Sequence, residues 1–221
     1  ACLAAIDLEQ GQLLDWNPGA DSAVGAIVVD GSRVIVGGAF QNVGGADRAG
    51  LAAIDAVSGL VLEWNPGADG SGVTAMALSG GRLFVGTERG VYRRQGERFV
   101  LASALLPDDG VPSMAQDGAG NLWVGSVNNG LLRLGKSGVE TFTSLRGLPN
   151  NRVAALLVDR EGSIWAGTNA GLLRLSDAPF STYNGDHGLS DDYVRALAES
   201  RDGSLWIGTS RGLNRWRGGK L

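Results

Sequence analysis

Leu122-Trp123-Val124-Gly125-Ser126, Ile164-Trp165-Ala166-Gly167-Thr168 and Leu205-Trp206-Ile207-Gly208-Thr209 are three copies of one five-residue block, and Val34-Ile35-Val36-Gly37-Gly38 and Leu83-Phe84-Val85-Gly86-Thr87 are two more. Their first glycines, Gly37, Gly86, Gly125, Gly167 and Gly208, stand 49, 39, 42 and 41 residues apart. A period of about 40–45 residues is that of a four-stranded propeller blade. The surroundings recur with the block. An apolar run precedes it, as in Val153-Ala154-Ala155-Leu156-Leu157-Val158, followed by a turn such as Asp159-Arg160-Glu161-Gly162 or Asp30-Gly31-Ser32. Asp and Gly tolerate the backbone angles that tight hairpins need. After the block come a second glycine turn and another short run, Gly130-Leu131-Leu132-Arg133-Leu134 or Gly171-Leu172-Leu173-Arg174-Leu175, and then a fourth, Glu140-Thr141-Phe142-Thr143.

Four short runs per period, rich in β-branched and aromatic residues, are an all-β signature, and the absence of a sustained 3.6-residue period predicts essentially no helix. Strands A to D follow in order. The near-continuous apolar A strand is expected innermost and the block is strand B, whose Trp or Phe fills the space between blades. A single blade cannot bury both its faces, so the expected fold is an all-β, five-bladed β-propeller of four-stranded antiparallel blades over residues 1–221. The blades fall at about 24–66, 73–104, 111–144, 152–184 and 193–221 plus 1–17. The last blade has no D strand of its own, and the N-terminal segment carries one, Leu13-Leu14-Asp15-Trp16. The ring is therefore expected to close by N-terminal strand(s) completing the C-terminal blade. Leu3-Ala4-Ala5-Ile6-Asp7 and Leu213–Trp216 compete for the C position there.

Bulk numbers exclude several classes. The 36 glycines are about twice the usual share, but 43% hydrophobic residues and 6 prolines argue against disorder. The formal charge of −4 arises in the first hundred residues, and no basic stripe marks a nucleic-acid partner. No run of 18 apolar residues is present, so no membrane span is expected. The chain opens on Ala1 without a signal-peptide pattern, which fits a mature or an excised chain. Cys2 is the single cysteine, which rules out an intrachain disulfide and a cysteine metal cluster.

Two resemblances share the chain. Leu3-Ala-Ala-Ile-Asp7, Trp16-Asn17-Pro18, Val36-Gly37-Gly38-Ala39-Phe40, Gly44-Gly45, Arg48, Leu51-Ala-Ala-Ile-Asp55 and Trp64-Asn65-Pro66 resemble delta-60 type bacterial propeller repeats over roughly residues 1–72. Residues 111–221 resemble the two-component-regulator propeller repeat, through Asp-x-x-Gly, Leu-Trp-x-Gly-Thr, and the loops Gly147-Leu148-Pro149-Asn150-Asn151 and Gly188-Leu189-Ser190-Asp191-Asp192. The blade at 73–110 is intermediate. The second resemblance implies a bacterial, extracytoplasmic, ligand-sensing region of a sensor kinase. Two repeat types in one chain leave two origins open, an engineered chimera of propeller fragments or a natural mosaic.

Function is expected on loops held by the frame. The D–A loops are long and polar: Asn17 to Asp21, Asn65 to Asp69, Pro107 to Gly110, Leu148 to Asn151 and Gly185 to Asp192. The expected ligand contacts are Arg89, Asn129, Asn169 and Arg211 of the B–C loops, with Arg152 and Tyr193. Such a set suits a small polar ligand or glycan; the alternative is that these residues only build and solvate turns. His187 with Asp186, Asp191 and Asp192 is a candidate metal site, and Asp108-Asp109 and Asp191-Asp192 are candidate paired carboxylates, set against the ordinary use of these residues in loops. No nucleophile elbow and no phosphate loop occur. The expectation is a monomeric binding scaffold without catalytic residues, metal or cofactor. Its rivals are a scaffold with no native ligand, made or selected for foldability, and, below both, a propeller hydrolase or lyase.

Overall fold

The computed structural model describes residues 3–68, 72–96, 98–106, 108–175 and 181–221. Its backbone contacts form two compact units, Ala1–Ala102 and Ser103–Leu221. The first holds β1 (Val24–Asp30), β2 (Arg33–Gly38), the short hairpin β3 (Asn42–Val43) and β4 (Ala46–Asp47), β5 (Leu51–Asp55), β6 (Val73–Ser79), β7 (Arg82–Thr87), β8 (Gly90–Gln95) and β9 (Arg98–Leu101). The second holds β10 (Ser113–Gln116), β11 (Leu122–Gly125), β12 (Leu131–Gly135), β13 (Gly138–Phe142), β14 (Val153–Val158), β15 (Ile164–Thr168), β16 (Gly171–Leu175), β17 (Ser181–Tyr183), β18 (Val194–Glu199), β19 (Leu205–Thr209) and β20 (Leu213–Trp216). The fold is all-β, a five-bladed β-propeller, with two blades in the first unit and three in the second. Every ladder is antiparallel between sequence neighbours, with the single interruption that the β3–β4 hairpin lies between β2 and β5.

Among the described residues three blades carry four hydrogen-bonded strands, and the first and last carry three. In the first blade the fourth strand shrinks to one bridge, Ile54 to Val61. In the last, β20 pairs with β19, so Leu213–Trp216 holds the third-strand position in its own sheet. Past it, Gly218 and Gly219, at φ 58° and 84°, turn the chain so that Arg217 and Lys220 bridge. Glycine adopts two successive left-handed residues without steric cost. The described residues contain two 3-10 turns, Ser144–Arg146 and Gly185–His187, each leading out of a D strand. They carry no side-chain periodicity, and a three-residue turn needs none.

The recurring glycine of strand B has a packing role. A Cβ on Gly167 would lie 2.5 Å from Cγ1 of Val194, the first residue of the next blade's A strand. On Gly125 it would lie 2.9 Å from Cγ1 of Val153, and on Gly37 it would collide with Val73. In both units a blade therefore offers a glycine socket, and the following blade fills it with a valine. Those valines head a shared distortion. The A–B register shifts between Val24 and Ala26, Val73 and Ala75, Val153 and Ala155, and Val194 and Ala196. A bulge at this point bends the strand and re-aims one side chain.

Tryptophan is used differently in the two units. In the second, Trp123 and Trp165 of strand B are buried, and their indole N–H groups donate to the Oδ2 atoms of Asp117 and Asp159 at 2.9 and 2.7 Å. The Oδ1 atoms of those aspartates accept backbone N–H groups across the A–B turn, from Ala119 and Asn121 and from Glu161 and Ser163. Burial works to raise the Asp117 carboxyl, but hydrogen bonds from Asn121, Trp123 and Ala119 outweigh it and hold the group below its ordinary range. In the last blade Ser200 takes the aspartate's place. Asp202 accepts from Ser200 and Ser204 and pairs with Arg215, which lowers its carboxyl strongly. On the strand-C side the cross-strand partner of each of these tryptophans is an arginine: Arg133, Arg174 and Arg215 stack on Trp123, Trp165 and Trp206 at 5.6, 5.2 and 5.6 Å.

In the first unit residues 3–14 repeat the hairpin of residues 51–62. Asp7 Oδ1 accepts from the N–H groups of Glu9 and Gln10, as Asp55 Oδ1 does from Val57 and Ser58. The Ile6–Leu13 bridge matches Ile54–Val61. Burial separates the copies: Ile54, paired with Val34 of β2, is 0% exposed, and Ile6 is 59% exposed.

Candidate functional site

The B–C and D–A loops lie at the end of each blade where the A strand begins. Four B–C turns share one device. The hydroxyls of Thr87, Thr168 and Thr209 donate to the carbonyls of Gly90, Gly171 and Gly212 and accept from the N–H groups of Arg89, Ala170 and Arg211, and Ser126 accepts from Asn129 at 2.6 Å. The candidate loop side chains thus stand on turns fixed by a strand-end hydroxyl.

The D–A loops of the second unit tie down their neighbours. Asp109 accepts from the backbone and side chain of Asn128 and from the side chain of Asn129, between 2.8 and 3.1 Å. Burial pushes the Asp109 carboxyl up, and these bonds more than offset it, so the group stays ionised below the usual carboxylate range. Asn151 and Asp192 accept from the N–H groups of Ser144 and Gly185, both at 2.7 Å, and Asn150 and Asp191 cap Arg152 and Tyr193. Asp109, Asp191 and Asp192 therefore brace their loops. His187 Nδ1 meets Asn184 Oδ1 at 2.5 Å and its ring lies edge-on to Tyr183, so it completes the 3-10 turn. Among the described residues no three His, Cys, Asp or Glu side chains are placed to hold a metal ion.

Of the six expected ligand contacts, Asn129 is spent on Asp109, and Arg211 pairs with Asp191 at 3.2 Å. Arg152 is exposed, Asn169 is partly buried, and neither has a side-chain hydrogen bond among the described residues. They stand next to the Val153–Thr168 pair, at the same end of β14 and β15. Tyr193 and Ser210 hold the equivalent places in the next blade, where Ser210 N–H donates to the Tyr193 carbonyl at 3.0 Å and the Tyr193 ring is half exposed. Arg89, in the first unit, is exposed beside Thr87. Sequence reasoning passed over Arg195, the bulge residue of β18, whose Nε donates to Ser210 Oγ at 2.8 Å. Within an apolar A run it reads as one solvated position, and no sequence signal marks a bulge there. Tyr193, Arg195, Ser210, Arg211 and Asp191 thus form one connected group, with Arg152 and Asn169 on the neighbouring blade.

The two component regulator propeller model matches residues 105–128, 147–170 and 188–211. Each match runs from a D–A loop through strands A and B, the segment that carries the glycine socket. None of the curated proteins compared matches the chain. Among solved structures, the extracellular domain of a putative hybrid two-component system from B. thetaiotaomicron is 21% identical, with a TM-score of 0.72 over 97% of this chain and 29% of that one. Virginiamycin B lyase from Staphylococcus aureus is 14% identical, with a TM-score of 0.64 over 88% of this chain and 69% of the lyase. The computationally designed Ika8 protein is 17% identical, with a TM-score of 0.63 over 98% of this chain and 65% of Ika8. These likenesses establish the fold. The chain spans under a third of the first of these relatives.

Proposed function

We propose that this chain, which carries two-component regulator propeller repeats, is a non-catalytic ligand-binding module. It takes a small polar ligand or glycan at the loop end of its second unit. The observation that carries this reading is the partition of polar side chains there. Asp109, Asn151, Asp191 and Asp192 are consumed in bracing loops, whereas the Arg152 and Asn169 side chains are left without a hydrogen bond among the described residues and the Tyr193 ring is half exposed. Rigid loops with uncommitted hydrogen-bonding groups and one exposed aromatic ring are what a polar ligand needs. The braced aspartates argue against acid–base chemistry, because their oxygens already accept backbone N–H groups.

The second reading is a chimeric scaffold with no native ligand, favoured by the near-duplicate hairpins at 3–14 and 51–62 beside a different repeat type. Thermal shift against neutral and acidic oligosaccharides and polar metabolites separates the two. The binding reading expects at least one compound to raise the melting temperature, and Tyr193→Ala to abolish that rise. A full panel without a shift would reject it in favour of the scaffold.

A further inference from the structure

The four bulged A strands place one extra residue each at the loop end: Gly25, Thr74, Ala154 and Arg195. Three are small, and one is an arginine. A bulge re-aims its side chain relative to the regular pleat, and Arg195 is directed to the loop end, where Ser210 Oγ holds its Nε at 2.8 Å. The next residue on that loop, Arg211, is balanced by Asp191. Arg195 forms no ion pair among the described residues, and neither does Arg152 at the equivalent loop end of the neighbouring blade. The two carboxylates of the preceding loop are already engaged. Asp191 is bound to Arg211 and the Tyr193 N–H, and Asp192 to the Gly185 N–H. The half-exposed Tyr193 ring lies two residues from Arg195.

Resting on the binding function proposed above, we infer that the ligand is anionic: a carboxylated or sulfated sugar whose acid group is taken by the guanidinium of Arg195, with Arg152 flanking it and the Tyr193 ring against the sugar face. The planar fork of arginine matches a carboxylate or sulfate in a way a hydroxyl does not.

Calorimetry on the intact chain tests this with three probes: a galacturonate trisaccharide, maltotriose as its neutral counterpart, and inorganic sulfate. The expected result is binding of the acidic trisaccharide about tenfold or more tighter than maltotriose, weakening as salt rises. Arg195→Gln, which keeps a donor for Ser210, removes that preference, Arg195→Lys restores part of it, and Arg98→Gln on β9 leaves it intact. Sulfate alone binding through Arg195 would assign the acid group without the sugar. Equal affinity for the two trisaccharides, or full acidic binding by Arg195→Gln, overturns the anion assignment and leaves the loop-end reading standing. No binding by any probe, alongside a silent thermal-shift panel, overturns both.

Discussion

The first unit keeps its tryptophans just past its Ile6–Leu13 and Ile54–Val61 hairpins, at Trp16 and Trp64, and the second keeps three on B strands, at Trp123, Trp165 and Trp206, and one, Trp216, on a C strand. The first satisfies the Trp16 indole with the backbone carbonyl of Asp55 and stacks Trp64 against Arg94, and the second uses an aspartate carboxylate in the A–B turn. Both nevertheless share the strand-B glycine, the valine that fills it and the bulge behind that valine. Blade stacking in this chain therefore depends on close backbone approach at the glycine socket, and the aromatic residue is an exchangeable way of filling the outer part of a blade.

The comparison breaks most sharply at the socket. Gly167→Ala and Gly37→Ala should each destabilise by about 1–3 kcal/mol, because the added methyl overpacks a valine that backbone holds in place. Gly208→Ala, whose Cβ meets nothing nearer than the Ala196 methyl at 3.5 Å, should be near neutral. Urea unfolding of the three variants decides the matter, and equal losses would refute the socket. Next in size is the indole anchor. Trp165→Phe removes a hydrogen bond to a carboxylate as well as volume and should cost about 2 kcal/mol or more. Trp216→Phe should cost less, because the Trp216 indole N–H is buried without a hydrogen-bond partner among the described residues.

Acid sensitivity gives a smaller contrast. The Asp109 and Asp117 carboxyls sit below their ordinary value of 3.8 in the folded chain. The stability they contribute is complete above that value and is lost as pH falls through the lower folded-state value. Asp117→Asn should lose less stability than the parent between pH 7 and pH 3. A larger loss in the variant would reverse the sign and reject the hydrogen-bonding cause. The least effect is expected from the stacked arginines: Arg133→Met and Arg94→Met should each cost about 0.5–1 kcal/mol, one in each unit.

The blade period, the turns and the buried tryptophans were legible because each follows from a pattern repeated along the chain. The meaning of the repeated glycine was not, although the glycine itself marked the period. Its neighbour, Val194 for Gly167, comes from the following blade, and the spacing within one blade does not reveal that contact. The pairing of Asp117 with Trp123 was half legible: both residues stood out, one as a turn former and one as core, and the six-residue offset that joins them became meaningful only once the A–B turn was folded. At the candidate site the loops and their polar residues were readable. Which of them were already spent was not, since Asn129 and Asp109 look as free in a sequence as Arg152 does. Arg195 is not legible in the sequence because a bulge leaves no compositional trace.

The most direct test of the binding account is hydrogen–deuterium exchange with and without the galacturonate trisaccharide. The account predicts slowed exchange at residues 190–196 and 209–212, with the A–B turns at 117–121 and 159–163 unchanged. Protection centred on those turns, or no protection anywhere at a concentration where calorimetry reports binding, would contradict it.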